Sequence, residues 1–273
     1  MDFDVTRARE RCLAYRRRIL DMSQRVTAMH IAPAFSCLEM IDVIYHGYMR
    51  RSPVAGGEPF ADSFVLSKGH GCISQYVILE DLEVLSRKEL DAYCTVQGHL
   101  GAHPDYGVPG IEASTGSLGH GLGIAVGMAY AEKLKQTDRR VFALISDGEL
   151  QEGSTWEGVL MASNLKLDNL VLFVDLNDYT AMDRLSVEHP ATYPVDEKFR
   201  AFGWEATQVN GHDAGALVAS VDSRSGKTPF VVIGQTVKGK GVAFMEGVPI
   251  WHYRSPSKEE YLLATQDLRQ VTA

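Results

Sequence analysis

Three short runs, residues 141–145, 170–174 and 230–233, are apolar at essentially every position and are separated by amphipathic stretches. A strand with apolar side chains on both pleat faces has to be covered on both, and parallel strands need long crossovers that helices supply. The pattern predicts an α/β fold, a doubly wound and mainly parallel sheet flanked by helices. Phe64-Val65-Leu66 adds an earlier strand.

Helices are predicted around this sheet. Over residues 4–26, Tyr15, Ile19, Met22 and Val26 recur at helical spacing while arginines occupy the other faces. Ser36 followed by Glu39 reads as a capping box opening a second helix, with Ile41, Ile44 and Tyr48 as its apolar face. Ser86 and Glu89 repeat that device, with Leu85 and Leu90 as a hydrophobic staple. A last helical piece covers residues 259–268. The glycine- and proline-bearing loop 53–59 is too short for an interdomain linker, and no repeat or composition break occurs. A single domain over residues 1–273 is expected.

Charge and cysteines narrow the function classes. With 27 Lys and Arg against 35 Asp and Glu, the formal charge is −8. That argues against nucleic-acid binding and against adhesion to an anionic membrane. No apolar stretch reaches membrane-spanning length and no signal peptide is read at the N-terminus. Cys12, Cys37, Cys72 and Cys94 are far apart without a C-x-x-C, so reduced thiols in a soluble, cytoplasmic protein are expected.

In an open parallel sheet, ligands bind beyond the carboxyl ends of the strands. The run 141–145 leads into Ser146-Asp147-Gly148-Glu149, and the run 170–174 into Asp175-Leu176-Asn177. Asp147 and Asn177 are 177 − 147 = 30 residues apart, one strand–helix–strand unit, so neighbouring strands would bring both to one edge. A carboxylate, an amide oxygen and the Tyr179 carbonyl can hold magnesium, with phosphate oxygens completing its octahedron. Gly148 leaves room for a phosphate to approach. Taken singly, Asp-Gly reads equally as a turn and Asn177 as a loop residue; their joint placement favours the metal.

Two further signals converge on the same edge. Ser114-Thr115-Gly116-Ser117-Leu118-Gly119-His120-Gly121-Leu122-Gly123 leads into a helix reaching about Lys135, and glycines this dense expose backbone amides to an anion or a flat ring. Close helix packing explains them as well. His30, His70, His103 and His252 each fall at a predicted element end beside Gly, Pro or Ser. An isolated histidine is usually structural, but four that surround one ligand would bind hydroxyls and move protons.

On these residues the chain resembles the N-terminal, thiamine diphosphate-binding portion of the transketolases. The matching stretches run in family order. They are Leu66-Ser67-Lys68-Gly69-His70-Gly71; His103-Pro104-Asp105 with Pro109-Gly110-Ile111-Glu112; Ser114 to Gly119; Asp147-Gly148-Glu149 with Glu152-Gly153, through to Asn177; Thr236-Val237-Lys238-Gly239-Lys240-Gly241; and Trp251-His252. The resemblance implies that Asp147, Asn177 and the Tyr179 carbonyl hold magnesium or calcium against the cofactor diphosphate. It places His70 and His252 near the diphosphate and thiazolium, and Gly116, Ser117 and Leu118 along the aminopyrimidine. Gly148, Glu149 and Glu152 join the cofactor-binding set, and Glu152 matches a residue that faces the neighbouring subunit. His30 and His103 would contact hydroxyls of a donor ketose. Ser146, Ala102 and His120 depart from the family's more usual Gly, Gly and Gln.

The resemblance further implies a transferase moving a two-carbon ketol unit from a ketose, phosphorylated in the family's usual manner, to an aldose. The glutamate that activates the cofactor belongs to a pyrimidine-binding domain that follows later in full-length enzymes. A partner chain carrying that domain and the C-terminal domain is therefore expected, in an α2β2 assembly. The competing readings are the α subunit of a 2-oxo-acid dehydrogenase, a non-catalytic paralogue, and a transketolase-like subunit for an unusual sugar.

Overall fold

The computed structural model describes residues 3–53 and 57–270; positions 54–56 of the loop expected at 53–59 lie outside the described residues. Helix α1 (Val5–Ser23) is capped by Asp4, whose carboxylate accepts the Arg7 amide at 3.0 Å. Of the expected apolar stripe Tyr15, Ile19 and Met22 are buried, whereas Val26 lies past the helix end and is half-buried, and Arg16 does not lie on a solvated face. It is 5% exposed and donates twice to Glu39, at 2.6 and 2.9 Å.

That pair explains a second difference. Helix α2 (Ile31–Val43) begins five residues before Ser36, with His30 at the N-cap position and no side-chain cap. Ser36 and Glu39 are thus interior to the helix, and their polar groups serve long-range contacts instead of a terminus. Every residue of α2 is buried, as befits a helix apolar nearly all round, and it continues into a π-helical turn, Ile44–Tyr48.

Strand β1 (Ser63–Leu66) leads through a short 3₁₀ turn to α3 (Cys72–Asp81) and α4 (Arg87–Asp91). At α4 the capping box of Ser86 and Glu89 is present in both directions, and Leu85 and Leu90 are buried beside it. The chain continues through α5 (Gly121–Leu134), β2 (Val141–Ser146), α6 (Gly153–Asn164) and β3 (Leu170–Leu176). After α7 (Leu185–Glu188) and α8 (Val195–Ala201) come β4 (Glu205–Asn210), α9 (Ala214–Asp222), β5 (Phe230–Gln235) and α10 (Lys258–Gln270).

Among the described residues the strands form one parallel sheet in the order β1-β2-β3-β5-β4. Alternate side chains divide between two cores. Phe64, Leu66, Phe142, Leu144, Phe173 and Val232 meet the layer containing α1, α2, α3, α9 and α10. Val65, Ala143, Ile145, Leu172, Val174 and Ile233 meet α5, α6 and α8. The α/β, doubly wound architecture is as expected. Strand β4 went unread because Glu-Ala-Thr-Gln-Val-Asn is an edge strand, covered incompletely and therefore free to be polar. No helix is long and apolar enough to cross a membrane among the described residues. The four cysteines are free thiols, three buried and Cys94 exposed.

Candidate active site

The parallel register decides which side chains meet at the carboxyl edge. Ser146 pairs with Asp175 across β2 and β3, so the chain beyond each strand emerges at the same level. Asp147 is fully buried; its two oxygens accept the amides of Gly148 at 2.8 Å and Asp178 at 2.5 Å. The predicted tip of Asp147 and the 177–179 turn are thus in contact. Asn177 accepts the Tyr179 amide at 3.1 Å, and Asp178 takes a left-handed conformation (φ 66°) to make the turn.

Burial, with Asp175 nearby, pushes the Asp147 carboxyl up to about 7. Its hydrogen bonds come from backbone amides, and among the described residues no basic side chain bonds to it directly. A divalent cation is the counter-charge such a carboxylate fits, and Gly148 leaves space, since a Cβ there would meet only Ser146 Oγ at 3.9 Å. No cluster of three His, Cys, Asp or Glu side chains suited to a metal occurs among the described residues. The oxygens near this tip are instead those of the Asp147 carboxylate and the Asn177 side-chain amide, with Tyr179 in the same turn.

The four histidines, drawn from almost the whole length of the chain, converge. His30 lies 5.4 Å from His70, 5.7 Å from His103 and 5.4 Å from His252, measured between ring centres, and His70 lies 5.3 Å from His252. Tyr253 flanks His30 at 4.4 Å. Burial, then the neighbouring His103, brings His30 down to about 4; burial and Lys238 bring His252 to about 3. Burial, reinforced by Lys68, holds His70 well below its ordinary value. These three rings are neutral at pH 7, each able to donate and to accept. The Nδ1 of His30 is buried without a hydrogen-bond partner, a polar atom that a hydroxyl-bearing ligand would satisfy.

The glycine-rich loop closes the site through direct backbone packing. A Cβ on Gly69 would stand 2.7 Å from the Gly116 nitrogen, and one on Gly116 (φ 133°) 2.5 Å from the His103 ring. His70 and His103 are therefore seated by the absence of side chains at these positions. Ser117 and Leu118 follow in the same loop; His120, at the start of α5, points Nδ1 to the Leu118 carbonyl at 3.1 Å. Glu149 is buried and binds this loop, accepting the Gly119 amide at 2.8 Å and the Ser67 hydroxyl, with its second oxygen unpartnered. Burial raises its carboxyl. Glu152, exposed at the entry to α6, packs its Cβ where a side chain on Gly119 would go.

Sequence reasoning missed the charged frame beneath these groups. Lys68 is 1% exposed and donates to Asp175 at 2.5 Å and to the Pro33 carbonyl at 2.8 Å. Asp175 also accepts from Ser36 at 2.6 Å and from Thr236. Burial opposes ionisation of both partners, yet their mutual attraction holds Asp175 below and Lys68 above the ordinary value. The pair ties α2, the Lys68-Gly69-His70 turn, the β3 tip and the segment after β5 together. Lys238 then joins the two halves of the site, donating to the carbonyls of Tyr179 (3.3 Å) and Thr180 (2.7 Å) and lying 2.9 Å from His252 Nδ1. Burial and Lys68 lower it to about 8. A buried acid immediately before Leu176-Asn177 was the available signal for Asp175.

A doubly wound sheet whose carboxyl edge presents a buried carboxylate, an oxygen-rich turn, a glycine loop and neutral imidazoles defines an α/β domain that binds a phosphate-bearing cofactor and a polar substrate. The chain belongs to the transketolase, thiamine diphosphate binding domain family, which matches residues 9–266. It is 36% identical over 261 residues to an apulose-4-phosphate transketolase subunit of Phocaeicola vulgatus, covering 93% of this chain and 91% of that one. It is 31% identical over 256 residues to the 6-deoxy-6-sulfo-D-fructose transketolase subunit of a Clostridium species, covering 89% and 90%. Among solved structures, transketolase from Campylobacter jejuni superposes with a TM-score of 0.89 at 26% identity, over 98% of this chain. The chain spans 43% of the length of that structure.

Proposed function

We propose that this chain is the diphosphate- and metal-binding subunit of a two-chain, thiamine diphosphate-dependent transketolase, a transferase that moves a two-carbon ketol unit from a ketose to an aldose. The observation that carries the reading is the meeting of the Asp147–Asn177 tip with four converged histidines at one sheet edge. Asp147, Asn177 and the Tyr179 carbonyl hold magnesium or calcium, and the ion holds the diphosphate. His70 and His252 border the cofactor, Gly116, Ser117 and Leu118 line its aminopyrimidine, and Gly148 admits the phosphate. Glu149 fixes the glycine loop through Gly119.

The cofactor, when bound, supplies the electron sink for breaking a carbon–carbon bond beside a carbonyl. The chain's own residues bind and orient the sugar. His30 and His103 hold its hydroxyls through hydrogen bonds at their ring nitrogens. The residues 1–273 act as one domain in the cytoplasm. A companion chain supplies the pyrimidine-binding domain and its activating glutamate in an α2β2 assembly, with Glu152 facing the neighbour. Relatives matched over nine-tenths of their own length are themselves named as subunits of a transketolase, which supports a split enzyme.

A second reading refines the substrate. Relatives matched over about nine-tenths of their length are named for apulose-4-phosphate and for a sulfonated fructose, which favours an uncommon sugar over the usual pentose phosphates. The competing 2-oxo-acid dehydrogenase reading is not expected to carry His30, His70 and His103 in this order, and carbon dioxide release from an oxo acid would decide for it. The test of the metal assignment is Asp147→Ala in the assembled enzyme. Calorimetry is expected to lose magnesium-dependent cofactor binding, because the ion loses its one carboxylate ligand. Unchanged affinity refutes the assignment.

A further inference from the structure

We infer that Lys238 guards the metal seat: its ammonium occupies the Tyr179 carbonyl against a bare divalent cation and yields it only when a diphosphate arrives to take the ammonium's charge. The inference rests on the metal assignment proposed above for Asp147, Asn177 and the Tyr179 carbonyl.

Three observations carry it. Lys238 is 2% exposed, and its ammonium bonds to two carbonyls and an imidazole, with no carboxylate among these partners. Lys68, the other buried lysine of the site, has Asp175 as a dedicated partner. Lys238 is therefore a buried cation lacking a directly bonded anion, next to the place where a phosphate group is expected. Second, the contact to Tyr179 is the longest of the three at 3.3 Å, so it is the one most readily given up. Third, the backbone holding the lysine is fixed. Gly239 donates to the Ala32 carbonyl at 3.0 Å, Gly247 donates to the Lys238 carbonyl at 2.9 Å, and a Cβ on Gly239 would collide with Met245.

The lysine consequently cannot withdraw from the site; only its side chain can turn. A divalent ion on the Tyr179 carbonyl would share one oxygen with the ammonium, two positive charges a few ångströms apart where water does not screen them. Cation alone is repelled. Cation with diphosphate brings anionic oxygens that accept the displaced N–H, so metal and diphosphate enter as a pair. Lys238 is a positioning residue in this scheme and takes no part in bond breaking.

The experiment uses the full chain assembled with its companion, and Mn2+ as probe, free ion being followed by its electron paramagnetic resonance signal. Lys238→Met is expected to bind Mn2+ alone about tenfold more tightly than the parent, and thiamine diphosphate at saturating Mn2+ about tenfold more weakly. Lys238→Arg, which keeps the charge, is expected to refuse bare Mn2+ as the parent does. If the methionine variant does not assemble, Lys238→Gln carries the same expectation. Parent-like affinity for bare Mn2+ in the neutral variant, or parent-like affinity for the cofactor, overturns the inference. Asp147→Asn in both backgrounds separates the two readings: it should erase Mn2+ binding, and if Mn2+-dependent cofactor binding survives it, the metal seat itself is misassigned.

Discussion

Arg16 and Glu39 are 5% and 8% exposed and bonded twice, with His212 Nδ1 2.9 Å from the same carboxylate. Burial opposes ionisation of Glu39, but Arg16 and then His212 prevail and hold it at about 2, against an ordinary 4.5. Because the folded value is depressed, the stabilisation is complete above 4.5 and disappears as pH falls through about 2. Glu39→Gln should cost about 3 kcal/mol at pH 7 by stranding a buried guanidinium, and the deficit should shrink below about pH 4.5 in urea melts. His103→Ala is expected to slow turnover while leaving cofactor affinity nearly unchanged by calorimetry. Release of the cofactor would show that His103 serves the wrong ligand in the proposed scheme. At this scale the sequence singles out Asp147, Asn177 and the histidines because strand ends and glycine neighbours mark them. The ion pair between Lys68 and Asp175 went unread, although both residues stand in the motifs, because it spans more than a hundred residues and no local pattern announces it.

Elements were legible where local chemistry and tertiary use agree. Ser86 and Glu89 cap α4 as read, and Ser86→Ala should lower stability by about 1 kcal/mol in thermal melts. Ser36 and Glu39 show the same spacing, yet tertiary contacts recruit both side chains and the helix starts at Ile31. The pattern is necessary for a capping box and not sufficient for one. Strand β4 lacked an apolar run because an edge strand does not need it, whereas β2 and β3, buried on both faces, advertise themselves. The glycine loop also makes a demand of its own. Gly116→Ala puts a Cβ into the His103 ring at a φ unfavourable for alanine, so turnover should fall about 100-fold through misplacement of the imidazole. Steady-state kinetics with a circular dichroism control checks this, and near-normal turnover would mean that His103 tolerates displacement.

At the scale of the whole molecule, the proposed function makes this sheet edge one half of a pocket completed by a companion chain. The purified chain with thiamine diphosphate, magnesium and a panel of ketoses should show no turnover, and addition of the companion chain should restore it. Robust activity from the chain alone would end the two-subunit reading. The histidines also sit at four places along the polypeptide, with His30 near its start and His252 in its final tenth. The imidazole cluster is therefore a product of tertiary packing and not of any local stretch of sequence. A single backbone cut between His103 and His252 would leave three of the rings on one piece and the fourth on the other, so limited proteolysis in that span severs the cluster wherever it falls.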